Sequence, residues 1–153
     1  MKLYIDVREP KQIINYINHL NNLAKDKERI LIEIKALDLG DYIIYDEKLD
    51  KNIIIIERKS TNDLEASIKD GRYNEQSFRL SENDTHNHNI YYLIEGAIIN
   101  HKNQGFKNSL YSSLFSISYF KGFSVLNSLN NVGSAEIIYG FANKLLREKG
   151  KQG

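Results

Sequence analysis

Four consecutive isoleucines, Ile53 to Ile56, run straight into Glu57, Arg58 and Lys59 with no turn residue between them. No other stretch of the chain constrains the fold so tightly. Four β-branched apolar residues in a row read as a buried strand, and a buried strand ordinarily ends in Gly, Asn, Asp or Pro. Here a carboxylate and two cations follow instead, so charge is set at the rim of the core. Strand periodicity then sorts these residues. Ile53, Ile55, Glu57 and Lys59 share one face, while Arg58 leans to the other.

The flanking sequence supplies the rest of an α/β fold. Residues 2–7 read as a strand, and Pro10 stands in the first turn of a helix over 10–25, with Ile13, Ile14, Ile17, Leu20 and Leu23 on one face. Strands follow over 29–35, 41–46 and 52–58, the last two joined as a hairpin. Ser60 or Thr61 caps a helix to residue 69, with Asp63 in its first turn, and Gly71 ends it. A helix over 72–80, a polar loop, a strand over 90–95, a helix over 109–120, a strand over 123–126 and a closing helix over 134–147 complete the chain. Alternation after a small antiparallel start predicts a mixed central sheet flanked by helices.

At 153 residues the chain fits one domain, read as residues 1–149 with a polar tail over 150–153. A net charge of +1 excludes a protein that coats nucleic acid by bulk charge, so any such contact has to be local. The absence of cysteine excludes disulfide scaffolds, thiolate zinc sites and cysteine nucleophiles. No stretch approaches the ~20 apolar residues of a membrane span, and the N-terminus lacks a signal-peptide apolar run, so the expectation is a soluble intracellular protein.

Antiparallel pairing of 41–46 with 52–58 brings Asp41 opposite the Glu57/Arg58 end. Two acids meeting there make a hard oxygen site suited to Mg²⁺ or Mn²⁺, and a neighbouring lysine suits a water attacking a phosphodiester. An Asp and a Glu-x-Lys triplet alone also recur on hairpins whose charges merely face solvent.

Further residues narrow the choice. Gly40-Asp41, then Glu57-Arg58-Lys59 followed by Asp63, then the run from Asp70 to Leu80 (DGRYNEQSFRL) resemble the nuclease domain of the XPF family of structure-specific endonucleases, and in spelling its crossover-junction, flap-cutting branch. The opening Ile5-Asp6-Val7-Arg8-Glu9 fits the same pattern, and the likeness spans residues 3–146. The resemblance implies a restriction-endonuclease-like fold and a Mg²⁺- or Mn²⁺-dependent endonuclease acting on flaps, forks and nicked junctions in DNA repair or recombination. It implies that Asp41 and Glu57 hold the metal with the Arg58 carbonyl, and that Lys59 positions the attacking water. Arg58 would meet the scissile phosphate or brace the site. Asp6 and Asp63 would be further acids, either metal ligands or partners of Arg58 and Lys59, although Asp63 also reads as an ordinary first-turn acid.

Arg72 and Gln76, four apart on a helix, are expected to reach the site or the DNA backbone, and Lys69, Arg72 and Arg79 form a locally basic strip. No helix-hairpin-helix pattern follows the closing helix within these residues, so DNA grip is expected from a partner or from chain outside them. The late helices carry more apolar residues than one face needs, among them Tyr111, Phe115, Tyr119, Phe120, Ile137, Phe141 and Leu145, and the resemblance implies a homo- or heterodimer through them. It also implies work in the nucleus or another site of DNA replication and repair. A non-catalytic DNA-binding or dimerisation subunit is the alternative, against which the intact Asp41, Glu57 and Lys59 weigh. Glu95, at the end of an apolar strand, reads either as approaching the site or, as the preferred reading, as a solvated strand end, and His86 and His88, without a third ligand, read as loop residues.

Overall fold

The computed structural model describes the backbone of residues 1–152 and side chains through Gly150. Its centre is a six-stranded mixed sheet. β1 (Lys2–Asp6) pairs in parallel with β2 (Leu31–Lys35) on one side and antiparallel with β3 (Tyr42–Asp46) on the other. β3 turns back into β4 (Lys51–Ser60), and β5 (Ile90–Glu95) and β6 (Ser124–Ser128) then add in parallel, giving the order β2-β1-β3-β4-β5-β6. This is the expected α/β arrangement.

Helices cover both faces. α1 (Lys11–Leu23) and α5 (Asn131–Gln152) enclose a core of Leu3, Ile5, Ile17, Ile56, Ile138 and Ala142. On the opposite face, α2 (Thr61–Lys69), α3 (Arg72–Ser81) and α4 (Lys107–Phe115) enclose Ile55, Leu64, Leu80, Ile94 and Leu110. The isoleucine run is thus split by the pleat, with Ile54 and Ile56 in the first core and Ile55 in the second. Ile55 and Ile56 are each 1% exposed, and full burial of such a side chain contributes roughly 2 kcal/mol.

Several elements differ from expectation. β4 does not stop at Arg58 but continues to Ser60, because β5 pairs with it as far as Ser60 opposite Glu95. The charged residues therefore stand inside the sheet. Ser60 is the cap of α2, its Oγ accepting from the Asp63 N–H at 3.0 Å. Leu23 is exposed and leaves the apolar face of α1. α4 ends at Phe115 and passes into a π-helical turn, Ser116–Phe120, closed by the Lys121 N–H on the Ser116 carbonyl. α5 begins earlier than expected, since the Asn130 side chain accepts from the Gly133 N–H at 2.8 Å. It also continues to Gln152, so residues 150–152 are helical rather than a tail, and Lys149 ties this last stretch to Asp46. Gly153 lies outside the described residues.

Gly40 lets the chain enter β3. Its φ is +75°, and a Cβ built there would stand 2.6 Å from Ile55 Cγ2, so both backbone and space require glycine. Gly40→Ala is expected to cost about 1–3 kcal/mol in urea denaturation. Gly140→Ala, in α5 where an added Cβ meets nothing within 4 Å, is expected to be neutral or to gain up to about 1 kcal/mol. An unchanged midpoint for Gly40→Ala would show that the turn tolerates a side chain.

Candidate active site

The ladder of β1, β3 and β4 runs one residue past the start of β3 and seizes Asp41. The Asp41 N–H donates to the Ile56 carbonyl at 2.8 Å, and its own carbonyl accepts from the Asp6 N–H at 2.9 Å. Because Tyr42 lies opposite Ile56, Asp41 lies opposite Glu57 and on the same face. One Asp41 oxygen, Oδ2, accepts from the Arg58 N–H at 2.8 Å. The Glu57 carboxylate takes no hydrogen bond or ion pair from the described residues. The expected meeting of these two acids is realised by backbone geometry.

Both acids open into a cleft of about 750 Å³ at the carboxyl end of β1, whose wall includes Asp6, Arg8, Glu9, the turn over 36–40, Gln76 and Arg79. Burial, then the neighbouring Glu57 and Glu9 charges, push the Asp41 carboxyl well above its ordinary range. Burial likewise pushes Glu57 up, only partly opposed by Lys59. The pair is therefore poised to share a proton or a cation. Among the described residues no three carboxylate or imidazole groups converge closely enough to enclose a metal ion. The donor set nevertheless suits a divalent ion that keeps most of its waters, with two hard anionic oxygens in a polar cleft.

Lys59 shares the Glu57 face and places Nζ 3.3 Å from Ser67 Oγ. Gln76 and Arg79 line the cleft from α3, with Arg79 Nη2 donating to the Asp38 carbonyl at 3.1 Å. Arg72 and Lys69 do not line it: Arg72 ion-pairs with Asp70 at 3.2 Å and Lys69 with Glu65 at 2.9 Å, both in solvent. Asp63 is exposed and makes no ion pair with Arg58 or Lys59.

Asp6 is in the cleft but fully engaged. Its carboxylate accepts from Arg8 Nε at 2.9 Å, from the Arg8 N–H and from the Leu37 N–H at 2.8 Å, and Arg8 holds it below the usual carboxylate range. Arg58 turns to the α1/α5 face, where Nε meets Glu9 at 2.7 Å and Nη1 meets Glu95 at 3.0 Å. Burial works against its charge, but Glu9, then Glu95, outweigh it and raise its pKa. Of the two roles expected of Arg58, this orientation suits the brace. Glu95 is thus no solvated strand end, and sequence reasoning missed both it and Glu9 as the partners of Arg58. The parallel register of β4 with β5 was the missing datum, since a strand-end glutamate looks the same free or paired.

Fold and acid pair together define an α/β domain of the restriction-endonuclease-like class. Residues 5–141 match the ERCC4 domain, and the chain belongs to that family. It is 39% identical over 125 residues to "Probable crossover junction endonuclease mus81" of Dictyostelium discoideum, covering 77% of this chain and 13% of that protein. It is 34% identical over 98 residues to "ERCC4 domain-containing protein EP364R" of African swine fever virus, covering 63% of this chain and 26% of that protein. The chain thus spans 13% and 26% of the length of these two curated relatives. Among solved structures, "XPF from Aeropyrum pernix" superposes with a TM-score of 0.77 at 26% identity, over 99% of this chain and 68% of that one. The same protein in complex with DNA gives a TM-score of 0.76, also at 26% identity, over 96% and 66%.

The buried acids set a pH dependence. A carboxyl with a raised native pKa holds its proton to higher pH folded than unfolded, so its contribution is full below the ordinary glutamate value of 4.5 and is lost as pH climbs. Glu57→Gln escapes that loss. Without divalent ions it is expected to melt above wild type at pH 8, with the gap closing toward pH 5. A gap constant across that range would mean Glu57 has an ordinary pKa.

Proposed function

We propose that this domain is the catalytic part of a metal-dependent endonuclease that hydrolyses phosphodiester bonds in branched DNA, such as flaps, forks and nicked junctions, during repair or recombination. The observation that carries the reading is the Asp41/Glu57 pair: two acids held side by side by strand register, facing a cleft, with proton affinity raised and, among the described residues, no ion pair formed by Glu57. Such a pair is costly to keep in a domain with no use for it. The names of the relatives, a crossover junction endonuclease and an XPF solved with DNA, support the substrate class.

Asp41 and Glu57 would hold the ion, with the Arg58 carbonyl as a further ligand. Mg²⁺ or Mn²⁺ held there would supply Lewis acidity and lower the pKa of water at the site. Lys59, on the Glu57 face, orients the attacking water and offsets charge that builds on the phosphate oxygens. Arg79 and Gln76 on one wall and Arg8 on the other meet the phosphates flanking the cut. With a net charge of +1 these contacts are few, so firm grip on DNA comes from a partner or from chain beyond these residues. The domain works where DNA is replicated and repaired. Among the described residues no helix is long and apolar enough to cross a membrane.

A homo- or heterodimer completes the reading, and the exposed apolar residues favour α4 over α5 as its surface. The apolar residues of α5 pack inward, Ile137, Phe141, Leu145 and Leu146 all against the first core. Of the late helices, α4 and its π-helical extension carry the exposed apolar residues: Phe115, Tyr119 and Phe120 are 58–72% exposed and cluster with centroids 5.1–5.7 Å apart, Phe115 stacked on Tyr119 and Phe120 edge-on to both.

The test is cleavage of labelled flap, fork and nicked-junction DNA against plain duplex, with Mg²⁺ or Mn²⁺. Branched substrates are expected to be cut preferentially, and Glu57→Ala and Lys59→Ala to lower the rate by at least about 100-fold. Activity surviving either change would refute the assignment, and equal cutting of duplex would remove the branch preference. Absence of cleavage together with stimulation of a partner nuclease would indicate the non-catalytic subunit. Light scattering of the chain alone reports the dimer, and a monomer rules out the homodimer.

A further inference from the structure

The cleft has a second layer behind it. Arg58 presents its main chain to one side of β4 and its guanidinium to the other. The N–H holds Asp41 Oδ2 at 2.8 Å, while the side chain is locked between Glu9 at 2.7 Å and Glu95 at 3.0 Å. Glu95 is itself fixed, its Oε1 accepting from Ser134 Oγ at 2.7 Å, and Ser134 Oγ lies 2.6 Å from Ser128 Oγ. Ser134 is completely buried in the first turn of α5, and Ser128 ends β6. An unbroken polar chain therefore runs from α5 and β6 through Glu95 and Arg58 to the carboxylate of Asp41.

The burial makes this chain hold its shape. The Arg58, Glu9 and Glu95 side chains are 12%, 9% and 13% exposed. A charge so enclosed cannot leave its partners without exposing another charge that is equally enclosed. The guanidinium is thus committed to the α1/α5 face, and the peptide linking Glu57 to Arg58 is pinned from behind.

We infer that Glu95 and Ser134 are positioning residues for the proposed metal site: they fix Arg58, and Arg58 through its N–H fixes the carboxylate of Asp41 beside Glu57. Arg58 acts on the site by this route and does not bind the DNA phosphate. The inference rests on the proposed function for the identity of the ligands, and deepens it by assigning roles outside the cleft.

Two binding measurements on the 153-residue chain test it without reference to turnover. Mn²⁺ affinity is measured by calorimetry, and affinity for flap DNA in EDTA is measured by anisotropy across a salt series. Glu95→Gln keeps the shape of the side chain and removes its charge; Ser134→Ala removes its anchor; Arg58→Lys keeps the charge and removes the fork. Each is expected to weaken Mn²⁺ binding, Glu95→Gln and Arg58→Lys by roughly 10-fold, the loss typical of groups that orient metal ligands. DNA affinity and its salt slope are expected to stay at wild-type values in all three. A fall in DNA affinity for Arg58→Lys with a salt slope shallower by about one would make Arg58 a phosphate ligand and overturn the inference. Variants that melt lower yet bind Mn²⁺ as wild type does would reduce the chain to a structural role and overturn it equally. Should one variant fail to fold, the other two decide. Wild type that binds neither Mn²⁺ nor flap DNA would defeat the functional reading, and the relay with it; normal wild-type binding left unmoved by Glu95→Gln defeats the relay alone.

Discussion

The antiparallel register between β3 and β4 is the constraint on which the rest depends. Tyr42 opposite Ile56 sets Asp41 opposite Glu57, and the Arg58 N–H then closes on Asp41. A slip of one residue would carry Glu57 to the other face and bring Arg58 into the cleft. The register is protected by what surrounds it: Ile55 and Ile56 are buried in separate cores on opposite faces, so a slip would exchange both at once. The same hydrophobic run that organises the sheet also fixes the chemistry at its end.

Charge in this molecule is distributed with little excess and strong local structure. The total is +1, yet Asp6, Glu9, Asp41, Glu57 and Glu95 gather around the carboxyl ends of β1, β4 and β5 with Arg8, Arg58 and Lys59 among them. Asp6 is paired with Arg8, and Glu9 and Glu95 share the single guanidinium of Arg58. Among the described residues Glu57 faces the cleft without an ion pair, and Asp41 has a single hydrogen-bond donor, the Arg58 N–H. That residue of uncompensated charge is what a divalent ion would relieve, and it weakens the metal-free fold as pH rises.

Much of this was legible in the sequence because it depends on short-range rules. Alternation placed Glu57 and Lys59 on one face and Arg58 on the other, and hairpin pairing placed Asp41; both rest on the period of a strand. The glycine before Asp41 was visible as a motif, and its reason, a positive φ and a 2.6 Å approach to Ile55, needed coordinates. What escaped depends on long-range partners. Glu9 and Glu95 are 49 and 37 residues from Arg58, and nothing local distinguishes them from solvated acids. Lys69 and Arg72 shared a basic strip with Arg79, yet only Arg79 faces the cleft: Lys69 lies on α2, before the αL turn at Gly71, and Arg72 stands at the other end of α3 from Arg79. The apolar excess of the late helices was real, but α1 claims the share belonging to α5.

The central claim is that Asp41 and Glu57 form one cation site that competes with a proton. Calorimetric titration of the chain with Mn²⁺ at pH 6, 7 and 8, each in two buffers of different ionisation enthalpy, reads that competition directly. The account predicts binding that strengthens from pH 6 to pH 8, with proton release on binding that is largest at the low end, and loss of binding in Glu57→Gln. Affinity independent of pH, or Mn²⁺ bound equally well by Glu57→Gln, would contradict it.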